Sequence, residues 1–377
     1  MSWCLLLAAL LCWLVRAYEH KICLMTTFRL MTSTSLCGLL EWIDYHVLLG
    51  VDHFVLRNDC SFDAAAVGEA LSRYAAAGQL SLDTTPQEKC DRTDQRKIYT
   101  AMSAKFSVLR KCEWLSIVDN DEYISFADSV DLSSSAPLRS YVDLLEVPFS
   151  RMMWFVVGNE NLETRPNGTI IGAFLHGSME KPHYLKTLVK TEITLQFTNP
   201  HFPKLFSQYD RRYVVPKPSS NGVYKVVYDA GSADNTSLLS WRKFVEINAY
   251  HRCERLVNAS SRTPREARPP YGLFLKHFKY LSWQEYREQR AATPLLANGR
   301  KNYWGEDSRR IWELGRPVDR HFLWGDKFTA RMAAALMVGL RGRCTNPNSN
   351  PSPEKTGTQD VCCNFWTNAS LSTHVKM

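Results

Sequence analysis

The sequence has no Cys-x-x-Cys pair, no zinc-finger spacing and no RNA-binding signature anywhere in its 377 residues. A structural zinc site is therefore unsupported. So is nucleic-acid binding, because no stripe of interleaved arginine and aromatic residues is present either. There is no histidine-rich tract and no second Asp-rich cluster, which leaves a metal-dependent hydrolase short of ligands. No internal repeat occurs, so a second independent domain is not required. Long apolar runs are absent beyond the first residues. Trp3 to Val15 is a single stretch of 13, shorter than the roughly 20 needed to span a bilayer.

That stretch is followed by Arg16 and Ala17, and Val15 and Ala17 supply the −3/−1 pattern of a signal-peptidase site. Residues 1–17 are expected to be a cleaved signal peptide, or a short signal anchor, since the segment before the run has no Lys or Arg. Four sequons, at Asn167, Asn235, Asn258 and Asn368, agree with a lumenal chain of the secretory pathway, in the ER or Golgi. Beyond Ala17 there are nine cysteines, several of which an oxidising lumen would pair. Nine is odd, so at least one thiol is free or pairs between chains. Cys344 with Cys362 or Cys363 would close the polar segment between them.

With 45% hydrophobic and 22% charged residues the chain is an ordinary globular protein. The net charge of +8 suits anionic ligands such as nucleotide diphosphates or acidic glycans.

Strand-like and helix-like segments alternate. His20–Thr27 reads as a strand, Ser35–Leu49 as a helix stopped by Gly50, and Val51–Leu56 as a second strand. Asp63 caps a helix running to Ala77, and Gln79–Leu82 is a short third strand. Asp94–Cys112 reads as one amphipathic helix, and Trp114–Val118 as a buried strand running into Asp119-Asn120-Asp121-Glu122. Later come strands at Arg151–Val157, within Leu185–Phe197 and at Tyr271–Tyr280, then helices at Ser282–Ala292 and Lys327–Leu340. Such alternation implies right-handed βαβ units, a largely parallel sheet and ligands beyond the carboxyl ends of its strands. The expected organisation is a main α/β domain over 18–290, a helical extension over 291–343 and a cysteine-containing polar tail over 344–377.

The acidic cluster sits at one of those strand ends. On extended chain, residues two apart face the same side, so Asp119 and Asp121 are expected to address one ligand together. Two hard oxygen donors suit Mn²⁺ or Mg²⁺, which keep positions open for diphosphate oxygens. The bland alternative is a polar turn leaving a buried strand.

Glu41-Trp42-Ile43-Asp44-Tyr45-His46, continuing through Leu48-Leu49-Gly50-Val51-Asp52-His53-Phe54, resembles glycosyltransferase family 92 and related family-2-like transferases. The resemblance continues through the turn Asn58–Asp63, Gln95 before a helix, and Trp114 through Asp119-Asn120-Asp121-Glu122-Tyr123. It extends to Trp154, Gly158, Pro166-Asn167-Gly168, and His277-Phe278 with Ser282 and Glu285. It is densest over residues 20–128. It implies a GT-A type, Rossmann-like mixed sheet flanked by helices, and an inverting hexosyltransferase that uses a UDP-sugar (UDP-galactose in the best-known members) and Mn²⁺. A glycan or glycoconjugate hydroxyl would be the acceptor. Relatives carry Lys/Arg-Asn-Glu after the first strand. Here Arg29 is kept and the Asn-Glu is not.

The residues this singles out are Asp119, Asp121 and His277 for the metal, and Arg29, Asp59, Gln95 and Asp119 for the nucleotide sugar. Arg29 would pair with a phosphate through its planar fork. An inverting transferase needs a general base for the acceptor hydroxyl, and Glu160 and Glu180 are the candidates. Trp154 and His183 are candidates for contacts to an acceptor sugar. Two alternatives are a metal-dependent lumenal hydrolase and a catalytically inactive carbohydrate-binding homologue.

Overall fold

The computed structural model describes residues 18–59, 61, 63–84, 95–126, 134–145, 148–178, 185–197, 201, 203–205, 212–214, 227–229, 273–291, 308–317, 326–345, 362–363 and 366. The chain opens with β1 (His20–Phe28), α1 (Ser33–Leu49), β2 (His53–Asn58), α2 (Ala64–Ala76) and β3 (Leu80–Asp83). Then follow α3 (Gln95–Lys105), α4 (Val108–Lys111), β4 (Cys112–Ile117), β5 (Glu122–Phe126), α5 (Pro137–Asp143), β6 (Phe149–Val156), α6 (Ile170–Ala173) and β7 (Leu185–Lys190). After β8 (Thr194–Gln196), β9 (Lys204–Leu205), β10 (Arg212–Val214) and β11 (Val227–Asp229) come β12 (Leu273–His277), α7 (Trp283–Ala291), α8 (Ser308–Glu313) and α9 (Asp326–Thr345).

Eight strands form one sheet in the order β3-β2-β1-β4-β7-β6-β12-β5. β1, β2, β3 and β4 pair in parallel, and β6 and β12 do the same. β7 runs antiparallel between β4 and β6, and β5 runs antiparallel to β12 at the edge. The expected α/β fold with a mixed sheet flanked by helices is thus what the chain adopts. The sheet is less parallel than alternation alone implied, because β4 passes through a tight turn directly into β5 with no crossover helix between them.

Most elements fall where hydrophobic period placed them. Asp63 caps α2, its carboxylate accepting the Ala66 N–H at 2.9 Å, and Gly50 ends α1 with a φ of 99°, a left-handed conformation that favours glycine. One helix does not hold. The expected Asp94–Cys112 helix is interrupted at Ser107, whose φ is 52°, and Cys112 already belongs to β4. That cysteine is drawn into the sheet by pairing with His20 and by a disulfide to Cys23 on neighbouring β1.

The main core is packed by α1 on one face of β1, β2, β4 and β5. Phe328, Met332, Leu336 and Leu340 of α9 join it, as do Cys362 and Trp366. Cys37–Cys362 and Cys344–Cys363 tie the tail to α1 and α9. The second of these is one of the two pairings that spacing left open. Cys60, Cys90 and Cys253 lie outside the described residues, as do the sequons at Asn235, Asn258 and Asn368. No helix among the described residues is long and apolar enough to cross a membrane.

Candidate active site

The parallel strands all point their carboxyl ends at one edge of the sheet, and a cleft of about 550 Å³ opens there. Residues following β1 and β2 (Arg29, Asp59) line it, with Gln95 from α3. Asn120 and Asp121 follow β4, and Phe278 and Glu285 follow β12. The sheet topology therefore gathers residues from distant parts of the chain, as the strand-end rule requires.

The acidic turn is held from below by α1. The Trp42 indole N–H donates to the Glu122 carbonyl at 2.7 Å, and the Tyr45 hydroxyl donates to the Ile124 carbonyl at 2.6 Å. His46 accepts the Ile124 N–H on Nε2 at 3.3 Å while its Nδ1 meets the Trp42 carbonyl at 2.8 Å. These bonds satisfy backbone groups on the outer side of β5, an edge strand. Burial holds the His46 imidazole down to about 3, so it stays neutral and keeps its accepting nitrogen. The Glu-Trp-Ile-Asp-Tyr-His segment thus acts structurally, placing the turn without entering the cleft.

Within the turn the two aspartates diverge. The Glu122 N–H donates to the Asp119 carbonyl at 2.9 Å, so the chain is bent at Asp119–Asp121. The same-side expectation for an extended strand is corrected for that reason. Asp119 Oδ2 lies 3.0 Å from Lys186 Nζ, which is also 3.3 Å from Glu122 Oε2. Asp121 Oδ2 instead lies 3.4 Å from His277 Nε2, contributed by the last residue of β12. Donors each about 2.1 Å from an octahedral ion sit about 3 Å apart, so Asp121 and His277 are spaced for a shared metal. Asp119 is turned to the lysine. Among the described residues no three metal-ligating side chains cluster closely enough to form a complete protein cage.

The electrostatics follow from burial. Burial alone would lower the Lys186 ammonium, but Asp119 and Glu122 outweigh it and hold the group above the ordinary lysine range. Burial pushes the Glu122 carboxyl well up, against the pull of Lys186, and Asp119 and Asp121 push the same way. Trp154 packs at 4.4 Å from the His277 ring and 5.5 Å from the His201 ring, with Lys186 Nζ 5.7 Å from its centre. It walls the acidic turn.

Also in the cleft lining, Arg29 donates from Nε to the Asp59 carbonyl at 2.7 Å and from a terminal nitrogen to Asp59 Oδ2 at 3.0 Å. Two candidates for nucleotide contact are thus paired with each other. Glu160 does not line the cleft. Its Oε1 accepts the Leu175 and His176 N–H groups at 2.9 and 2.7 Å, and its Oε2 meets His176 Nδ1 at 2.7 Å, so it braces a loop. Glu180 and His183 lie outside the described residues.

Sequence reasoning missed Lys186 and Arg165, and quoted Glu285 without a role. Arg165, its side chain 2% exposed, pairs with Glu285 Oε1 at 3.3 Å, and Ser282 Oγ donates to Glu285 Oε2 at 2.7 Å. Ser282 and Glu285 stand three residues apart at the start of α7. That capping-box spacing was a visible signal. Lys186 had none, since it is one lysine in a short strand.

No protein-family model matches the sequence, and no curated protein matches it. Among solved structures the chain is similar to S. aureus TarS 1–349, at 12% identity and a TM-score of 0.28, over 46% of this chain and 48% of that one. The same protein in complex with UDP-GlcNAc matches at 13% identity and a TM-score of 0.27, over 46% of each chain. The bifunctional enzyme WbbM in its apo form matches at 12% identity and a TM-score of 0.21, over 36% of this chain and 24% of that one. The matched region thus spans less than half the length of each of these structures.

Proposed function

We propose that the protein is a glycosyltransferase that moves a hexose from a UDP-sugar to a hydroxyl of a glycan or glycoconjugate, with Mn²⁺ or Mg²⁺ as cofactor. One observation carries the reading. Asp121 and His277 converge from two strand ends, and Asp121 lines a cleft that Arg29, Asp59 and Gln95 also line. The carboxylate suits Mn²⁺ or Mg²⁺, the neutral imidazole can add a nitrogen ligand, and so few protein ligands leave room for diphosphate oxygens. When bound, the metal would neutralise the charge that grows on the departing nucleoside diphosphate.

The remaining work falls to the chain. Arg29, Asp59 and Gln95 would border the nucleotide. In the transfer, the acceptor oxygen bonds to the anomeric carbon as that carbon's bond to the diphosphate oxygen breaks, with inversion. The acceptor proton goes to a carboxylate. Glu285 lines the cleft and Glu160 does not, which favours Glu285 for that role. The disulfides Cys23–Cys112, Cys37–Cys362 and Cys344–Cys363 support an oxidising, lumenal compartment of the secretory pathway.

Calorimetric titration of UDP with and without Mn²⁺, on the wild type and on Asp121→Ala, tests this. Metal-dependent UDP binding that Asp121→Ala abolishes is expected. Absence of UDP binding by the wild type in Mn²⁺ would sink the proposal. A second reading, an inactive carbohydrate-binding protein of the same fold, is favoured by the Arg29–Asp59 pair, which already occupies the guanidinium fork.

A further inference from the structure

Lys186 enters β7 with no exposed side-chain surface, and its ammonium is shared between Asp119 and Glu122. A buried ammonium persists only where carboxylates replace its lost hydration. Here Asp119 and Glu122 do so at 3.0 and 3.3 Å, and Trp154 covers the ammonium. The lysine therefore sets a cation inside the acidic turn. A divalent ion that sought Asp119 would have to take a carboxylate already holding a positive charge at 3.0 Å, and would be repelled by that charge. Asp121, two residues on, faces His277 instead. The turn sorts its aspartates between two cations.

We infer that Lys186 is a positioning residue that withdraws Asp119 from the metal's ligand set, so that the protein alone holds its divalent ion weakly, through Asp121 and His277. The donor's diphosphate oxygens then complete the coordination, and metal and nucleotide load together. This rests on the metal-dependent reading of the site and goes beyond it by assigning what sets the metal's affinity.

The test is a Mn²⁺ titration of the full chain without nucleotide, read from the free-ion signal in electron paramagnetic resonance. Lys186→Met alone would leave the Glu122 carboxyl buried without its cation and risks misfolding. The informative protein is Lys186→Met combined with Glu122→Gln, compared with Glu122→Gln alone. The amide introduced by Glu122→Gln keeps an oxygen to accept the Asp119 N–H, which Glu122 Oε2 accepts at 2.9 Å. Thermal melts confirm that both variants are folded.

The double variant is expected to bind Mn²⁺ about tenfold more tightly than the single one, and a further Asp119→Asn substitution should erase the gain. A merely structural lysine would give the opposite, weaker binding on its removal. Equal or weaker Mn²⁺ binding in the double variant, with the wild type still binding, overturns the inference and leaves the metal reading standing. Binding by the double variant but not by the wild type supports the inference, and the wild type should then take up Mn²⁺ only when UDP is present. No Mn²⁺ binding by any of the proteins without nucleotide overturns the inference, and the UDP titration with and without Mn²⁺ then decides the metal reading separately.

Discussion

The indole of Trp42 donates to the carbonyl of Glu122 at 2.7 Å across 80 residues of sequence, joining the first long helix to the strand that leaves the acidic turn. The bond is buried, so losing it strands a carbonyl that water cannot reach. Trp42→Phe should lower stability by about 2–4 kcal/mol, from the unsatisfied acceptor and the lost ring volume. It should also weaken Mn²⁺ binding, although the bond is to neither of the proposed ligands. Urea unfolding and a metal titration check the two effects separately. Loss of stability with unchanged metal affinity would mean that the turn holds its shape without α1.

That relationship also marks what sequence could and could not reveal. Hydrophobic period placed β1, α1, α2 and β6 because each must bury one face, and local pattern is enough to say so. The acidic turn was legible as a strand end. Its geometry was not, because whether Asp119 and Asp121 share a side depends on a bend that Glu122 makes by bonding back to the Asp119 carbonyl. Lys186 was illegible for a different reason. Its role comes from β7 inserting antiparallel between β4 and β6, and strand order is not written in any local window. Glu285 lay between these cases, since its capping-box partner Ser282 announced a helix start but not that the start opens on a cleft.

The two aspartates are expected to respond differently. Asp121→Asn should lower Mn²⁺ affinity by about 100-fold, since it removes the charged member of the proposed ligand pair. Asp119→Asn should change it by less than about threefold, because its carboxylate is engaged by Lys186. Isothermal titration of Mn²⁺ into each variant decides this. Equal losses would return Asp119 to the ligand set.

Glu285→Gln should reduce UDP release from a UDP-hexose by about 100-fold or more, the size expected for loss of a general base. UDP affinity in Mn²⁺ should stay within about twofold of wild type. The substituted amide keeps an oxygen for Ser282 but removes the charge that pairs with Arg165, so melting should be followed alongside. Unchanged turnover by a folded variant would take Glu285 out of the chemistry and return the search to Glu180.

Glu41 gives the fold a pH dependence of definite sign. Its side chain has no exposed surface, and Oε1 accepts the Ile170 N–H at 2.7 Å and the Ile171 N–H at 3.4 Å. Burial pushes the carboxyl up to about 7, against the opposing pull of Arg165 and the two amides. In the unfolded chain the group ionises near its ordinary value of 4.5. Between the two values the native state binds more protons than the unfolded one, so stability falls as pH rises. The contribution is complete below about 4.5 and is lost as pH passes through about 7, a change of the order of 3 kcal/mol. His46 works in the other direction. Its folded value near 3 lies below the ordinary 6.5, so its cost appears only as pH falls below about 6.5. Glu41→Gln keeps the accepting oxygen and cannot ionise. It should match wild type near pH 4 and exceed it by up to about 3 kcal/mol at pH 8.5, when unfolding free energies are measured in urea across that range. Parallel curves for the two proteins would mean that Glu41 stays ionised in the fold, with the Arg165 guanidinium outweighing its burial.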